Sequence, residues 1–230
     1  MKIALVTGAG SGIGRAIAKK LDEIGFSVFL LGRTRKSLES TATQLSNPSR
    51  IFVVDLSSEK SLKAARAIRS LKKLDVLVHN AGIVKWGEFE KSSRKDWMKQ
   101  FETNFFGAAQ LTQMTLTALK KTKGSSIINI SSNLAHSPIP GAAIYSATKS
   151  AMNAWAAALS QELAPIRVNS ICPGVVDTPI HTFHGKKDTK AKSRVRELSK
   201  LSPLNRIGEP RDIAEAVDFL IHAKWMTGQT

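Results

Sequence analysis

The stretch TGAGSGIG, from Thr7 to Gly14, has a glycine at every second position and follows a short apolar run. This arrangement is typical of a loop that joins a buried strand to a helix and presents backbone N–H groups to a phosphate. A P-loop needs a lysine followed by serine or threonine after its last glycine, and Arg15 and Ala16 stand there instead. The P-loop interpretation is therefore excluded.

The common dinucleotide fingerprint, G-x-G-x-x-G, also fails, because counting from Gly8 places Ile13 at its last glycine. The spacing that fits is G-x-x-x-G-x-G, with Gly8, Gly12 and Gly14. It retains a strand end, a tight turn and a helix start, so it predicts a site for a pyrophosphate. A tight turn without a ligand is the alternative interpretation of these glycines.

Apolar segments and helical segments alternate along the chain. Buried-strand patterns occupy residues 2–8, 27–32, 50–55, 74–82, 125–132 and 166–174. Helical patterns occupy residues 14–25, about 58–72, 95–121 and about 145–163, with a polar helical stretch after the second strand. Near-continuous apolar strands suit a parallel sheet that is covered on both faces. We therefore predict an α/β fold: one domain over residues 1–230, a doubly wound parallel sheet with helices on both faces.

The chain has 230 residues, and its 42% hydrophobic content is typical of a globular protein. No apolar stretch reaches the length of a membrane span, and the N-terminus lacks the longer apolar core of a signal peptide. Cys172 is the only cysteine, so an internal disulfide is excluded. These features predict a cytoplasmic protein without membrane association.

The formal net charge of +16 favours attraction to phosphorylated cofactors, acidic partners or nucleic acid. The basic residues are scattered over RTRK at 33–36, KKTK at 120–123 and the stretch from Lys186 to Lys200. No aromatic residues interleave with them as a base-stacking surface would need, so nucleic-acid binding is not expected. A solvated basic exterior is the simpler interpretation.

The residues after the second predicted strand bear on the choice of cofactor. An acidic residue at this place would bind the ribose 2′-hydroxyl of NAD, whereas an arginine accommodates the 2′-phosphate of NADP. The sequence reads Gly32-Arg33-Thr34-Arg35, with no acid. Arg33 can give a phosphate charge-assisted, forked hydrogen bonds. The sequence therefore favours NADP(H) over NAD(H), which stays possible, as does a surface role for Arg33.

The segment YSATK places Tyr145 and Lys149 on one face of a predicted helix. A phenol with a pKa of about 10 is a poor acid–base catalyst near neutrality, and a neighbouring ammonium lowers that pKa. Alone, such a pair is common on helix surfaces. Here it coincides with a nucleotide loop and with NISS at the end of a strand, where open α/β sheets bind ligands.

Over essentially its whole length the chain resembles the short-chain dehydrogenase/reductase family. The motifs that carry the resemblance are T-G-x-x-x-G-I-G at 7–14, N-A-G at 80–82, Asn104 in TNFFG, NISS at 129–132, Tyr145-x-x-x-Lys149, PGVVDTP at 173–179, RIGEPRDIAEAVDFL at 206–220 and TGQT at 227–230. The resemblance implies a carbonyl/alcohol oxidoreductase that uses a nicotinamide dinucleotide.

The resemblance implies four catalytic residues. Tyr145 exchanges a proton with the substrate oxygen, and Ser132 rather than Ser131 hydrogen-bonds that oxygen, since the family's serine lies 13 residues before the tyrosine. Lys149 lowers the tyrosine pKa and holds the nicotinamide ribose. Asn104 positions a water that links Lys149 to solvent.

The resemblance also implies the cofactor contacts. Asp55 meets the adenine amino group, residues 80–82 line the adenine side, and Val176 with Thr178 holds the carboxamide. The whole implied cofactor set is Gly8, Ser11, Gly12, Ile13, Gly14, Arg33, Asp55, Leu56, Asn80, Ala81, Gly82, Tyr145, Lys149, Pro173, Gly174, Val176 and Thr178. Simpler roles remain open for Asp55 at a helix start, Asn104 within a helix and Thr178 in a turn.

Two features depart from the family pattern. His79 stands where a second asparagine is frequent, and we expect it to fill space at the strand end. The family usually adds a last strand after TGQ, which this sequence does not contain, so we expect an uncovered sheet edge. We accordingly expect a homodimer rather than a tetramer. Its interface would use Ala108, Ala109, Leu111, Met114, Ala151, Ala154, Trp155 and Ala158.

The expected substrate is a small carbonyl or alcohol compound. A pocket is predicted from Asn133, Leu134, His136, Ile139, Val84 and Trp86, under a lid at about 178–205. Basic residues of the lid could attract an acidic carrier with a 3-oxoacyl chain, or could form a solvated face. His181 and His184 have no accompanying ligand cluster, so no metal is expected. A non-catalytic NADP-binding sensor or interaction protein is the alternative function.

Overall fold

The computed structural model of the chain describes residues 1–180, 189–200 and 202–230 and contains a six-stranded parallel sheet. The strands are β1 (Lys2–Thr7), β2 (Phe26–Gly32), β3 (Arg50–Val53), β4 (Val76–His79), β5 (Ser126–Ile130) and β6 (Arg167–Ile171). Their spatial order is β3-β2-β1-β4-β5-β6. The order reverses between β1 and β4, and open α/β sheets bind ligands outside the carboxyl ends of the strands at this place.

Helices cover both faces of the sheet. They are α1 (Gly12–Glu23), α2 (Arg35–Ala42), α3 (Glu59–Ala64), α4 (Arg66–Arg69), α5 (Arg94–Phe101), α6 (Gly107–Lys120), α7 (Ala143–Glu162), α8 (Thr189–Ser199) and α9 (Pro210–His222). Alternate strand residues, such as Val6 and Leu5, belong to two separate cores. The first core packs against α1, α2 and α9, and the second against α3, α4, α6 and α7. The predicted doubly wound arrangement is confirmed.

The helix predicted over 95–121 is interrupted. A five-residue π-helical turn, Glu102–Phe106, separates α5 from α6. The one-residue excess of a π turn changes the direction of the side chains that follow, and such turns are frequent at functional sites. Thr103 and Asn104 are buried in this turn.

One other predicted helix is divided, and three predicted strands end earlier than expected. The helix predicted over 58–72 is two short helices, α3 and α4, because the backbone of Ala65 leaves the α-helical region with ψ of 50°. The strands predicted to end at residues 82, 132 and 174 end at His79, Ile130 and Ile171. The residues that follow each strand form the loops of the candidate site.

The outer edge of β6 is partly covered, which corrects the expectation of an uncovered edge. The Gly228 N–H donates to the Val168 carbonyl at 2.7 Å, and the Ser170 N–H donates to the Gln229 carbonyl at 2.8 Å. The segment that begins with TGQ therefore lies along β6, although it forms no regular strand. Among the described residues, no helix combines the length and apolar character that a membrane span requires.

Candidate active site

The glycine loop between β1 and α1 brings backbone closer together than side chains would allow. Gly8 and Gly12 adopt φ of 65° and 50°, the left-handed region that favours glycine. A side chain on Gly14 would run into the Gly8 carbonyl oxygen and the Asn80 amide. The loop therefore requires glycine at the three positions singled out by the G-x-x-x-G-x-G spacing.

The loop opens the first turn of α1 toward a ligand. Ser11 is the N-cap of α1, and its side chain makes no capping hydrogen bond, while Ile13 packs partly buried against the core. The helix N-terminus carries partial positive charge and unpaired backbone donors, so it suits a pyrophosphate. The cradle that these residues form fits a dinucleotide.

The segment Asn80–Gly82 is fastened to the loop through Thr7. The Thr7 hydroxyl oxygen accepts from the backbone N–H groups of Asn80 and Ala81 at 2.9 and 3.0 Å. The Asn80 amide donates to the Thr7 carbonyl at 2.9 Å. Sequence reasoning did not assign a role to Thr7, although it begins the motif.

The residues expected on the adenosine side lie at the ends of β2 and β3. Arg33 follows β2 and is exposed. Asp55 follows β3, and its Oδ1 accepts from the backbone N–H and the hydroxyl of Ser57 at 2.9 and 2.8 Å. Leu56 is buried beneath Gly107, where a side chain on that glycine would meet the Leu56 carbonyl.

The segment after β6 closes the cradle from the other side. The Pro173 carbonyl accepts from the Asn133 N–H at 2.9 Å, and Gly174 is exposed. Val176 is buried and forms a parallel β-bridge with Gly208. Thr178 is also buried, and its hydroxyl donates to the Val176 carbonyl at 3.3 Å. A Cβ added to Gly12 would lie 3.2 Å from the Thr178 side chain, so this segment faces the glycine loop.

The two serines of NISS point to different partners. The Ser131 hydroxyl is buried and donates to the Lys149 backbone carbonyl at 3.2 Å, which fastens α7 to β5. The Ser132 hydroxyl oxygen accepts from the Leu134 N–H at 3.1 Å, and Ser132 acts to lower the pKa of Tyr145. Ser132, and not Ser131, is therefore the serine that influences the phenol.

The pKa of Tyr145 shifts in the opposite direction from the one expected. Desolvation by burial raises the pKa of Tyr145 and outweighs the hydrogen bond from Ser132. Lys149 is buried, its Nζ donates to the Ile130 carbonyl at 2.8 Å, and desolvation lowers its pKa to about 8. Its Nζ lies 5.7 Å from the centre of the Tyr145 ring. In the protein without nucleotide, Lys149 is therefore not among the groups that lower the pKa of Tyr145, contrary to expectation.

Asn104 projects from the π turn toward Lys149. Its Oδ1 accepts from the Ile83 N–H at 2.8 Å, and its Nδ2 donates to the Ile83 carbonyl and to the Thr148 hydroxyl, both at 3.0 Å. A Cβ added to Gly82 would lie 3.4 Å from Asn104 Oδ1 and 3.6 Å from Lys149 Nζ. The two side chains therefore flank the same small space beside Gly82.

Two apolar residues predicted to line the substrate pocket are largely exposed. Trp86 and Ile139 are 47% and 48% exposed, and the Gly87 N–H donates to the Gly141 carbonyl at 3.0 Å, which joins their two loops. The lid predicted at 178–205 includes residues 181–188 and 201, which lie outside the described residues, as do His181 and His184. Within the described residues, no group of three His, Cys, Asp or Glu side chains could hold a metal ion.

A family model described as short chain dehydrogenase matches residues 2–189. The chain belongs to the short-chain dehydrogenase family. It is 33% identical to a 3-oxoacyl-acyl-carrier-protein reductase of Aquifex aeolicus, over 99% of this chain and 94% of the relative. It is 32% identical to 2,3-dihydro-2,3-dihydroxybenzoate dehydrogenase of Escherichia coli, over 94% of this chain and 87% of the relative.

A solved structure gives the same result. The 3-ketoacyl-(acyl-carrier-protein) reductase from Brucella melitensis, complexed with NADH, matches with a TM-score of 0.85 and 31% identity. The match covers 99% of this chain and 94% of the Brucella chain. This short-chain dehydrogenase is thus an oxidoreductase of a family whose members, as these relatives illustrate, act on different substrates.

Proposed function

We propose that this short-chain dehydrogenase interconverts a carbonyl compound and a secondary alcohol with NADP(H). The observation that carries the proposal is the placement of Ser132, Tyr145 and Lys149 at the end of β5, beside a glycine cradle that fits a dinucleotide. A bound nicotinamide supplies hydride to a carbonyl carbon, or accepts it from an alcohol.

Tyr145 is suited to proton donation at neutral pH. Burial raises its pKa, so the phenol keeps its proton until it meets a stronger base. The oxygen of a carbonyl that accepts hydride becomes such a base, and Ser132 stands beside the phenol to hydrogen-bond the same oxygen. The transfer leaves a neutral alcohol and a tyrosinate.

In this proposal, Lys149 and Asn104 return a proton to Tyr145 from solvent. Lys149 has a pKa lowered to about 8, so it exchanges protons near physiological pH. The space beside Gly82 touches both Lys149 Nζ and Asn104 Oδ1, which supports the proposal of a water there. Such a water would link the ammonium to solvent.

Arg33 supports a preference for NADP(H). It is an exposed cation at the end of β2, the position at which an acid would instead select NAD(H). The Brucella relative was solved with NADH, so NAD(H) stays the competing cofactor. A carrier-bound 3-oxoacyl substrate is the form of carbonyl that the names of two relatives support.

The proposal is tested by following NADPH absorbance across a panel of ketones and 3-oxoacyl thioesters. We expect turnover by the wild type and none by Tyr145→Phe, which should still bind NADPH because it loses only the hydroxyl. Arg33→Ala should weaken NADPH binding roughly tenfold to a hundredfold and leave NADH binding little changed. Arg35→Ala is the matched control, because Arg35 pairs with Glu39.

Three results would contradict the proposal. Turnover by Tyr145→Phe at the wild-type rate would exclude Tyr145 as the proton donor. Equal losses for NADPH and NADH in Arg33→Ala would remove the argument for the 2′-phosphate. Tight NADPH binding by the wild type without turnover of any compound would favour a non-catalytic nucleotide sensor.

A further inference from the structure

The Thr148 hydroxyl joins two residues of the candidate site. Thr148 lies in α7 between Tyr145 and Lys149 and is fully buried. Its hydroxyl oxygen accepts from Asn104 Nδ2 at 3.0 Å, and its proton is donated to the Tyr145 backbone carbonyl at 2.7 Å. One hydroxyl therefore couples the π turn to the helical turn that carries the phenol.

This bond gives the second N–H donor of the Asn104 amide its partner. One N–H of Nδ2 is taken by the Ile83 carbonyl and the other by Thr148, while Oδ1 accepts from the Ile83 N–H. An amide has two donors and one acceptor oxygen with two lone pairs. The remaining lone pair of Oδ1 is the one available toward the space shared with Lys149 Nζ beside Gly82.

We infer that Thr148 is a positioning residue for the reaction, acting through Asn104. The inference rests on the proposed function, in which Asn104 holds the water that returns a proton to Lys149. Without the hydroxyl, one buried N–H of Asn104 loses its partner, and a buried unpaired donor is costly. The amide would then turn or shift, and Oδ1 would no longer face Lys149 in one fixed orientation.

Thr148→Val tests this, because valine keeps the shape of the side chain and removes only the hydroxyl. Thr148→Ser retains the hydroxyl. Thr115→Val is the matched control: Thr115 is equally buried, and its hydroxyl donates only to backbone carbonyls of α6, Leu111 at 2.9 Å and Thr112 at 3.2 Å. The loss of a buried helical hydroxyl is thus the same in both valine variants.

Three readouts separate a positioning role from a merely structural one. In carbonyl reduction with NADPH, we expect Thr148→Val to lower kcat about tenfold with KM little changed, the loss that one unpaired buried donor corresponds to. The solvent deuterium isotope effect on kcat should rise, because proton transfer becomes slower. Exchange of the Asn104 side-chain N–H protons, followed by NMR, should also become faster. Thr148→Ser and Thr115→Val should resemble the wild type in all three respects.

The inference is overturned if Thr148→Val keeps the wild-type kcat and isotope effect, or if Thr148→Ser loses as much as Thr148→Val. Unchanged Asn104 exchange in Thr148→Val would show that the bond itself contributes nothing. Failure of the proposed function is visible separately, because the wild type would then reduce no compound. That result would overturn the positioning role as well, while the exchange data would still report whether the bond forms.

Discussion

Tyr145 is the only tyrosine of the chain, so tyrosinate absorbance reports its ionisation without background from other tyrosines. We predict a titration midpoint above its usual value of about 10, because burial raises the pKa of the phenol. We also predict that Lys149→Met leaves the midpoint unchanged. The pKa of Lys149 is lowered to about 8, so the ammonium has lost its proton before the tyrosine titrates.

The titration is made without nucleotide, over the pH range in which circular dichroism shows a folded protein. Tyr145→Phe is the control, since it should show no tyrosinate band. A wild-type midpoint below 10, or a midpoint that rises in Lys149→Met, would show that the lysine charge does lower the tyrosine pKa. The family-derived expectation would then be right and the desolvation argument wrong.

At the scale of elements, His79 connects β4 with α6 and α7. Its Nε2 lies 2.8 Å from the Thr112 hydroxyl oxygen, and its ring centre lies 6.0 Å from that of Trp155. The Thr112 hydroxyl donates its proton to the Ala108 carbonyl, so its oxygen can accept from His79 Nε2. Desolvation by complete burial lowers its pKa to about 3. The expectation that it fills space at the strand end is consistent with this environment.

We predict that this histidine makes the fold sensitive to mild acid. Below its usual pKa of about 6.5 the unfolded chain binds a proton that the folded chain excludes until about pH 3. Stability is therefore lost as the pH falls through this window. The free energy of unfolding should be about 2 kcal/mol lower at pH 5 than at pH 7.5 from this group alone.

Urea unfolding at several pH values measures the slope of the free energy of unfolding against pH. His79→Gln keeps an N–H donor for Thr112 and cannot titrate, so its slope between pH 7.5 and 5 should be smaller by that amount. His222→Gln, which removes an exposed histidine from the end of α9, is the control for the loss of an imidazole at another site. An undiminished slope in His79→Gln would assign the acid sensitivity to other groups.

The strands and the glycine loop could be predicted because their signals are local. Apolar runs such as KIALV and a glycine spacing are read from neighbouring residues, and both cores follow from their alternation. The π turn could not be predicted in this way. Asn104 is held by Ile83, 21 positions earlier, and by Thr148, 44 positions later. Bonds between distant segments leave no periodic pattern in the sequence.

The pKa shifts of Tyr145 and Lys149 could not be predicted from the sequence either. The spacing of Tyr145 and Lys149 correctly predicts one helix, but their pKa directions depend on burial. Burial is produced by the packing of α7 against the sheet and the π turn, and no local pattern contains it. For this reason the sequence predicts that Tyr145 and Lys149 share one helix, but not the directions in which their pKa values shift.

At the scale of the whole molecule, the surface of α7 has little exposed charge. From Ala143 to Gln161 the only charged residue of α7 is Lys149, which is buried, and the exposed Glu162 is the last residue of the helix. Exposed positions of this helix include Ala154 and Ala158. In a chain with a net charge of +16, such a face is unusual, since charged residues are depleted mainly at the cores of interfaces.

We therefore predict a homodimer through α7 and the adjoining part of α6. The structure corrects the expected contact set, because Ala108 and Leu111 of α6 are buried within their own subunit. A twofold axis would place the α7 faces of two copies against each other and keep the basic surfaces apart. Exposed small residues such as Ala154 allow close helix contact.

Light scattering coupled to size exclusion should give twice the chain mass of 25.0 kDa for the wild type. Ala154→Arg should give a monomer, because the dimer interface would then bury two unpaired cations, one from each subunit, near the twofold axis. Ser40→Arg is the control: it adds the same charge at an exposed position of α2, which packs on the opposite face of the sheet, and should leave the dimer intact.

A monomeric wild type would show that the uncharged face of α7 is not an interface. A dimer that survives Ala154→Arg would place the contact on another surface. A tetramer would require a second interface in addition to α7, and its reduction to dimers by Ala154→Arg would still assign one of the two to this helix.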